Sequence, residues 1–314
     1  VARSIGTSNL RIIDSSPLRG FSEIIAISQK ISLFRIIFPV KTEKRFSIIS
    51  ILFRPVFFVV VMPQRQQRAP IGVLMIHGFT STPESFAVLE QPLRSLCVPL
   101  RMPLLAGHGS PSPEALIGVT FHEWMADAAK ALQLLSMEAE KIVIIGHSMG
   151  ALISMQLAEE YPSTVDSLVL AAPALKLSSL LAPGRPLHFI APLLARVIKK
   201  WDIKPVFAGP DYIRCAGQYA WAPTDAILSL FELIVRTASI LDRVRVPVLI
   251  LHNRNETTVL PESADYLYRR IGSASDDKKI VWLEHSEHQI FCDCEREKAA
   301  SAVFDFVADR LGVR

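Results

Sequence analysis

The strongest constraint on the fold of this 314-residue chain is its repeated pairing of short β-branched apolar runs with longer stretches of helical period. Residues 71–76 (IGVLMI), 141–145 (KIVII), 167–170 (SLVL), 246–251 (VPVLIL) and 279–283 (KIVWL) are such runs, bounded by Gly, Pro or His. Apolar runs without polar alternation are what strands covered on both faces look like. Between them, residues 121–135, 151–161 and 262–271 carry apolar side chains at helical spacing and supply the crossovers that parallel neighbours require. The pattern predicts an α/β protein with a mostly parallel, doubly wound sheet. A composition of 50% hydrophobic and 20% charged residues furnishes a core and excludes a disordered chain. The most apolar stretch, residues 48–62, is interrupted by Arg54 and Pro55 short of the roughly 18 residues a spanning helix needs, so no stable membrane span is expected.

The alternation stops between residues 174 and 240. Two apolar helical stretches, 187–198 and 224–240, follow Pro-rich punctuation, and no strand-like run is present. An inserted helical cap is the expectation, with residues 62–173 and 241–314 forming the core and residues 1–61 an N-terminal extension. Residues 53–61 (FRPVFFVVV) suit an opening edge strand, and Met62 is a candidate start of the compact protein. The formal charge of +4 divides unevenly: residues 1–61 hold nine basic and three acidic side chains, and the remainder is net negative. A basic nucleic-acid-binding body is therefore not expected. The four cysteines lack metal or redox spacing, and without a recognisable secretory leader a cytoplasmic location follows by default.

The chemistry is carried by Gly146-His147-Ser148-Met149-Gly150, which directly follows one apolar run and precedes a helical stretch. In that context G-x-S-x-G is a sharp strand-to-helix turn that lifts the serine hydroxyl above the sheet. A serine of ordinary acidity needs a general base, and the base needs an orienting acid, in the chain order serine, acid, histidine. Of the eight histidines, His285 and His288 lie in the loop after the last apolar run, and His288, further into that loop, is the expected base. Glu256 is the only carboxylate in the loop HNRNETTVLP after the preceding run, and is the expected acid. The two oxyanion donors expected are the backbone N–H groups of Met149, next to the nucleophile, and Phe79, in the turn HGFT after the first run. No metal or organic cofactor is called for.

These segments together, HGFTSTPESF (77–86), PLLAGHG (103–109), GHSMG, PVLILHNRNETTV (247–259) and EHSEH (284–288), resemble the bacterial carboxylesterase and monoacylglycerol lipase branch of the α/β-hydrolase superfamily. The resemblance implies the α/β-hydrolase fold, Ser148 as nucleophile, His288 as base, position 256 as acid, Phe79 and Met149 as oxyanion donors, and a small-molecule ester or acylglycerol as substrate. Two departures stand out. That branch usually has Asp where Glu256 stands, and it has no counterpart for the first 50 or so residues. An apolar cap containing Leu180, Leu181, Leu187, Phe189, Ile190, Leu193 and Leu194 would shield a short or medium acyl chain. The same fold also supports peptidases, acyltransferases and C–C hydrolases, and a catalytically silent binding protein is the reading from a different class.

Overall fold

The computed structural model describes residues 67–203, 205–214 and 217–313. The expectations for the extension, the 53–61 strand, Met62 as a start, and Cys215 lie outside the described residues. Among the described residues there are eight strands: β1 (Ala69–Ile76), β2 (Leu100–Arg101), β3 (Ala139–His147), β4 (Val165–Ala171), β5 (Lys200–Asp202), β6 (Trp221–Pro223), β7 (Val248–Asn253) and β8 (Lys278–Leu283). The helices are α1 (Ala87–Ser95), α2 (Phe121–Ser136), α3 (Met149–Glu160), α4 (Ala191–Val197), α5 (Thr224–Ala238), α6 (Glu262–Arg270) and α7 (Arg296–Leu311).

Six strands form one sheet in the order β2-β1-β3-β4-β7-β8, and every pairing in it is parallel. Alternate side chains along each strand enter opposite layers. Leu74 and Ile76 of β1 and Ile142 and Ile144 of β3 pack with Trp124, Leu132, Leu152 and Leu267, from α2, α3 and α6. Val73, Met75, Val143 and Ile145 pack with Leu89, Leu93, Val303 and Val307, from α1 and α7. Burial on both faces is why these strands read as continuous apolar runs. The direction of strand addition reverses between β1 and β3, where such sheets open a crevice at their carboxyl ends.

One expectation needs correction. The segment 174–240 is not free of strands: β5 and β6 pair antiparallel within it, Trp201 opposite Ala222. Each strand is three residues long, β5 exposed and β6 largely buried, too short to impose a period. The chain also forms α1, which the sequence pattern does not announce because Pro92 stands inside it. No helix among the described residues is long and apolar enough to cross a membrane.

Candidate active site

The loops that leave β1, β3, β7 and β8 at their carboxyl ends converge on Ser148. The serine occupies the left-handed region, φ 54° and ψ −111°, directly before α3. A non-glycine residue there stores about 1–3 kcal/mol of strain, which the flanking contacts must hold. Its N–H donates to the Ala171 carbonyl at 2.9 Å. The two glycines of the motif are steric necessities: a Cβ on Gly150 would lie 1.9 Å from the Ile76 carbonyl oxygen, and one on Gly146 2.4 Å from that of Gly150. The close approach of β1, β3 and α3 thus leaves room for hydrogen only.

The His288 Nε2 lies 3.0 Å from the Ser148 hydroxyl oxygen. Its Nδ1–H donates to Oε1 of Glu256. This tautomer leaves Nε2 as an acceptor for the serine proton. The same Oε1 accepts the Val259 N–H at 2.9 Å, and Oε2 lies 3.4 Å from Nε2 of the buried His252. Burial alone would push the Glu256 carboxyl up, but the attraction and hydrogen bond of His288, then His252 and the Val259 N–H, outweigh it and hold it below its ordinary value. The longer glutamate arm therefore reaches the base without a gap. His285 is exposed and its N–H is tied to Glu295.

Phe79 lies beside Ser148 in the cavity wall, and Met149 is fully buried at the start of α3. No acceptor among the described residues takes the backbone N–H of either. Gly78 brings their two turns together, since a Cβ there would lie 3.3 Å from that of Ser148.

Sequence reasoning missed a frame of neutral histidines. His77 donates from Nδ1 to the Gly78 carbonyl at 2.9 Å and accepts the Leu105 N–H on Nε2 at 3.1 Å. His108 accepts the Thr80 N–H on Nε2 at 3.1 Å and donates from Nδ1 to the Ala106 carbonyl at 3.0 Å. His147 donates from Nε2 to the carbonyl of His288 at 2.8 Å. Burial above all lowers these rings to about 3, about 4 and about 3 respectively. Glu287 is a further unpredicted support: its carboxylate accepts the Thr257 N–H at 3.0 Å and so ties the acid loop to the base loop. The only signal available in the sequence was the nearness of these residues to the motif segments.

Ser148 and His288 open onto a cavity of about 390 Å³, within the roughly 300–1,000 Å³ usual for small-molecule sites. Leu177, Leu181, Leu194, Ile198, Leu228 and Phe231 line it. Of the seven apolar residues expected to shield an acyl chain, only Leu181 and Leu194 face this space, while Leu180, Leu187, Phe189 and Leu193 are exposed. Helix α4 is apolar on more than one side, so its period cannot select the inward face.

A parallel sheet with a serine–histidine–carboxylate line over its carboxyl ends defines an α/β hydrolase. Residues 71–295 match the profile of the family described as serine aminopeptidase, S33, and the chain belongs to that family. Over 253 residues it is 28% identical to a thermostable monoacylglycerol lipase of Bacillus sp. (strain H-257), spanning 80% of this chain and 95% of the relative. It is 26% identical over 238 residues to a carboxylesterase of Bacillus subtilis (strain 168), spanning 75% and 92% respectively. Among solved structures, a chain reported with LipS and LipT, two metagenome-derived lipolytic enzymes, aligns with a TM-score of 0.70 at 25% identity, over 77% of this chain and 95% of that one. The monoacylglycerol lipase of Paleococcus ferrophilus shares the fold, with a TM-score of 0.64 at 21% identity over 77% and 96%. The protein is an α/β hydrolase of the lipase and esterase kind.

Proposed function

We propose that the protein hydrolyses carboxylic esters with short to medium acyl chains, monoacylglycerols among them, through an acyl-enzyme on Ser148. The observation that carries this reading is the unbroken line from the Ser148 hydroxyl through His288 to Glu256 at the wall of an apolar cavity. In it, Ser148 Oγ attacks the ester carbonyl as His288 Nε2 takes its proton, and Glu256 holds the Nδ1–H and balances the imidazolium. The Phe79 and Met149 N–H groups receive the oxyanion, helped by the amino end of α3. His288 then gives the proton to the leaving alcohol, and water releases the acid by the same route. Residues 62–173 and 241–314 act as the catalytic core, and residues 174–240 as a cap that shelters the acyl chain.

The family description favours one second reading, an aminopeptidase. Holding a free α-ammonium beside the scissile carbonyl calls for a nearby carboxylate. Among the described lining residues apart from the triad the only one is Asp202, on the exposed β5, which supports an uncharged acyl group instead.

A panel of p-nitrophenyl esters, monoacylglycerols, triacylglycerols and aminoacyl amides, with fluorophosphonate labelling, tests the reading. Ester turnover and labelling should both vanish in Ser148→Ala. Full ester hydrolysis by that variant would refute the mechanism, and faster cleavage of the amides than of the esters would assign the peptidase.

A further inference from the structure

Behind the acid stands a second buried histidine that the proposed mechanism leaves without a task. His252 lies near the end of β7, fully buried, four residues before Glu256. Its ring packs edge to face on Trp282, its register partner on β8, with centroids 5.9 Å apart. Nε2 is 3.2 Å from the Val259 carbonyl oxygen and 3.4 Å from Oε2 of Glu256, while Nδ1 is buried with no hydrogen-bond partner among the described residues. These contacts fix the tautomer. A proton on Nδ1 would leave a buried donor unpaired and turn the Nε2 lone pair toward two oxygens, one of them charged. With the proton on Nε2, the N–H bonds the carbonyl and sets its positive end beside the carboxylate. Burial above all holds the ring below its ordinary pKa and so neutral, against the attraction of Glu256.

The two oxygens of Glu256 are held unequally. Oε1 meets His288 and accepts the Val259 N–H at 2.9 Å, whereas Oε2 is buried with no hydrogen bond among the described residues. A bare carboxylate oxygen in the interior is costly, and a glutamate has one more torsion than an aspartate through which to turn away. His252 closes a ring around this carboxylate: the Val259 N–H meets Oε1, the Val259 carbonyl accepts from His252, and the same His252 N–H lies beside Oε2.

We infer that His252 is a positioning residue for the acid: its Nε2–H steadies Oε2, keeps Oε1 turned toward His288, and so lets a glutamate do the work of an aspartate. The role rests on the ester-hydrolase reading of the triad. Labelling of Ser148 by a fluorophosphonate reports the same line of residues without an ester.

The test follows the full chain by two rates, fluorophosphonate labelling of Ser148 and steady-state hydrolysis of p-nitrophenyl butyrate, in a cycle of His252 and Glu256 variants. His252→Ala should slow labelling and lower kcat by about tenfold or more with KM within about twofold. His252→Gln, whose amide carries an N–H to about the place of Nε2, should recover to within about threefold of the parent. In the Glu256→Gln background, His252→Ala should change either rate by less than about twofold, because the carboxylate it serves is gone. Nitrogen-15 spectra of the parent, with His252 assigned by its loss in His252→Gln, should show the proton on Nε2. Should His252→Ala fail to fold, His252→Gln and the spectrum decide. An equal loss in both Glu256 backgrounds would make the role purely structural and overturn the proposal. A folded His252→Ala protein at the parent rate, a His252→Gln protein with a loss of tenfold or more, or a proton on Nδ1 would overturn it as well. A parent that is labelled but leaves the ester intact would fail the ester reading and leave the positioning role standing, whereas a parent that is not labelled overturns both.

Discussion

Replacing Glu256 by glutamine is the most informative single change, because it removes a charge and keeps the shape. In the proposed mechanism, as Ser148 loses its proton, His288 becomes an imidazolium in direct contact with the buried Glu256 carboxylate. With charge centres about 4 Å apart and an effective dielectric of about 20, that attraction is worth about 4 kcal/mol. Its loss corresponds to a fall of about 10³ in kcat. The glutamine oxygen would still accept the Val259 N–H, so the loop has a reason to stay in place. If the amide instead turns its NH₂ toward His288, the ring is forced into the other tautomer, Nε2 becomes a donor toward Ser148, and the loss approaches about 10⁴. Glu256→Asp retracts the carboxylate by one methylene, so it cannot serve both His288 and Val259 from the present backbone, and a fall of about 10–10² is expected. The assay is steady-state hydrolysis of a soluble p-nitrophenyl ester at neutral pH, with thermal unfolding followed in parallel to establish that the variants are folded. A Glu256→Gln enzyme within about threefold of the parent kcat would refute Glu256 as the orienting acid and leave Ser148 and His288 untouched.

Two further outcomes follow from the packing and electrostatics of the same site. Gly150→Ala would set a methyl 1.9 Å from the Ile76 carbonyl, so β1 and the serine turn must part; kcat should fall by about 10² or more, or the protein should fail to accumulate folded, and an active, stable Gly150→Ala enzyme would contradict the described approach of β1 to α3. His77, His108 and His147 sit at about 3, 4 and 3 in the folded protein against an ordinary 6.5. The unfolded chain binds protons on these rings first as the pH falls. Their contribution is therefore complete above about pH 6.5 and is lost between there and about pH 4 to 3, at about 1.4 kcal/mol per pH unit for each ring. Urea midpoints should drop steeply from pH 7 to pH 5, and a flat profile would show that these rings are not held neutral.

What was legible in the sequence follows from which elements carry their own pattern. The five longer sheet strands do, because burial on both faces demands continuous β-branched runs. Since each site loop follows one of these strands, the G-x-S-x-G turn together with chain order and loop position brought forward Ser148, Glu256 and His288 as candidates. Strand β2 has two residues and exists because Val73 and Leu74 offer an edge to Leu100 and Arg101. Helix α1 forms despite Pro92 because Leu89 and Leu93 bury against the layer shared with α7. Both are tertiary outcomes that local propensity does not record. The orientation of α4 was hidden for a related reason: with apolar residues on two sides, period identifies a helix and says nothing of which side turns inward.

The histidines show most clearly how environment divides one residue type between two tasks. The rings of His77 and His108 bond only backbone groups, and His147 bonds the backbone carbonyl of His288. A peptide N–H or carbonyl neither yields nor accepts a proton near neutrality, and burial removes any gain from ionising, so these three rings hold fixed tautomers and serve as cross-links. His77 and His108 clamp the turn that carries the Phe79 N–H, and His147 fixes the backbone of His288. The ring of His288 alone bridges two side chains, Ser148 and Glu256, whose charges change or matter during acyl transfer. Because the frame rings are already neutral where the proposed base would take and return a proton, protonation of His288 would leave the turns that aim it in place. The sequence cannot express that separation, since it depends on which atoms each ring meets across gaps of 28 to 141 residues.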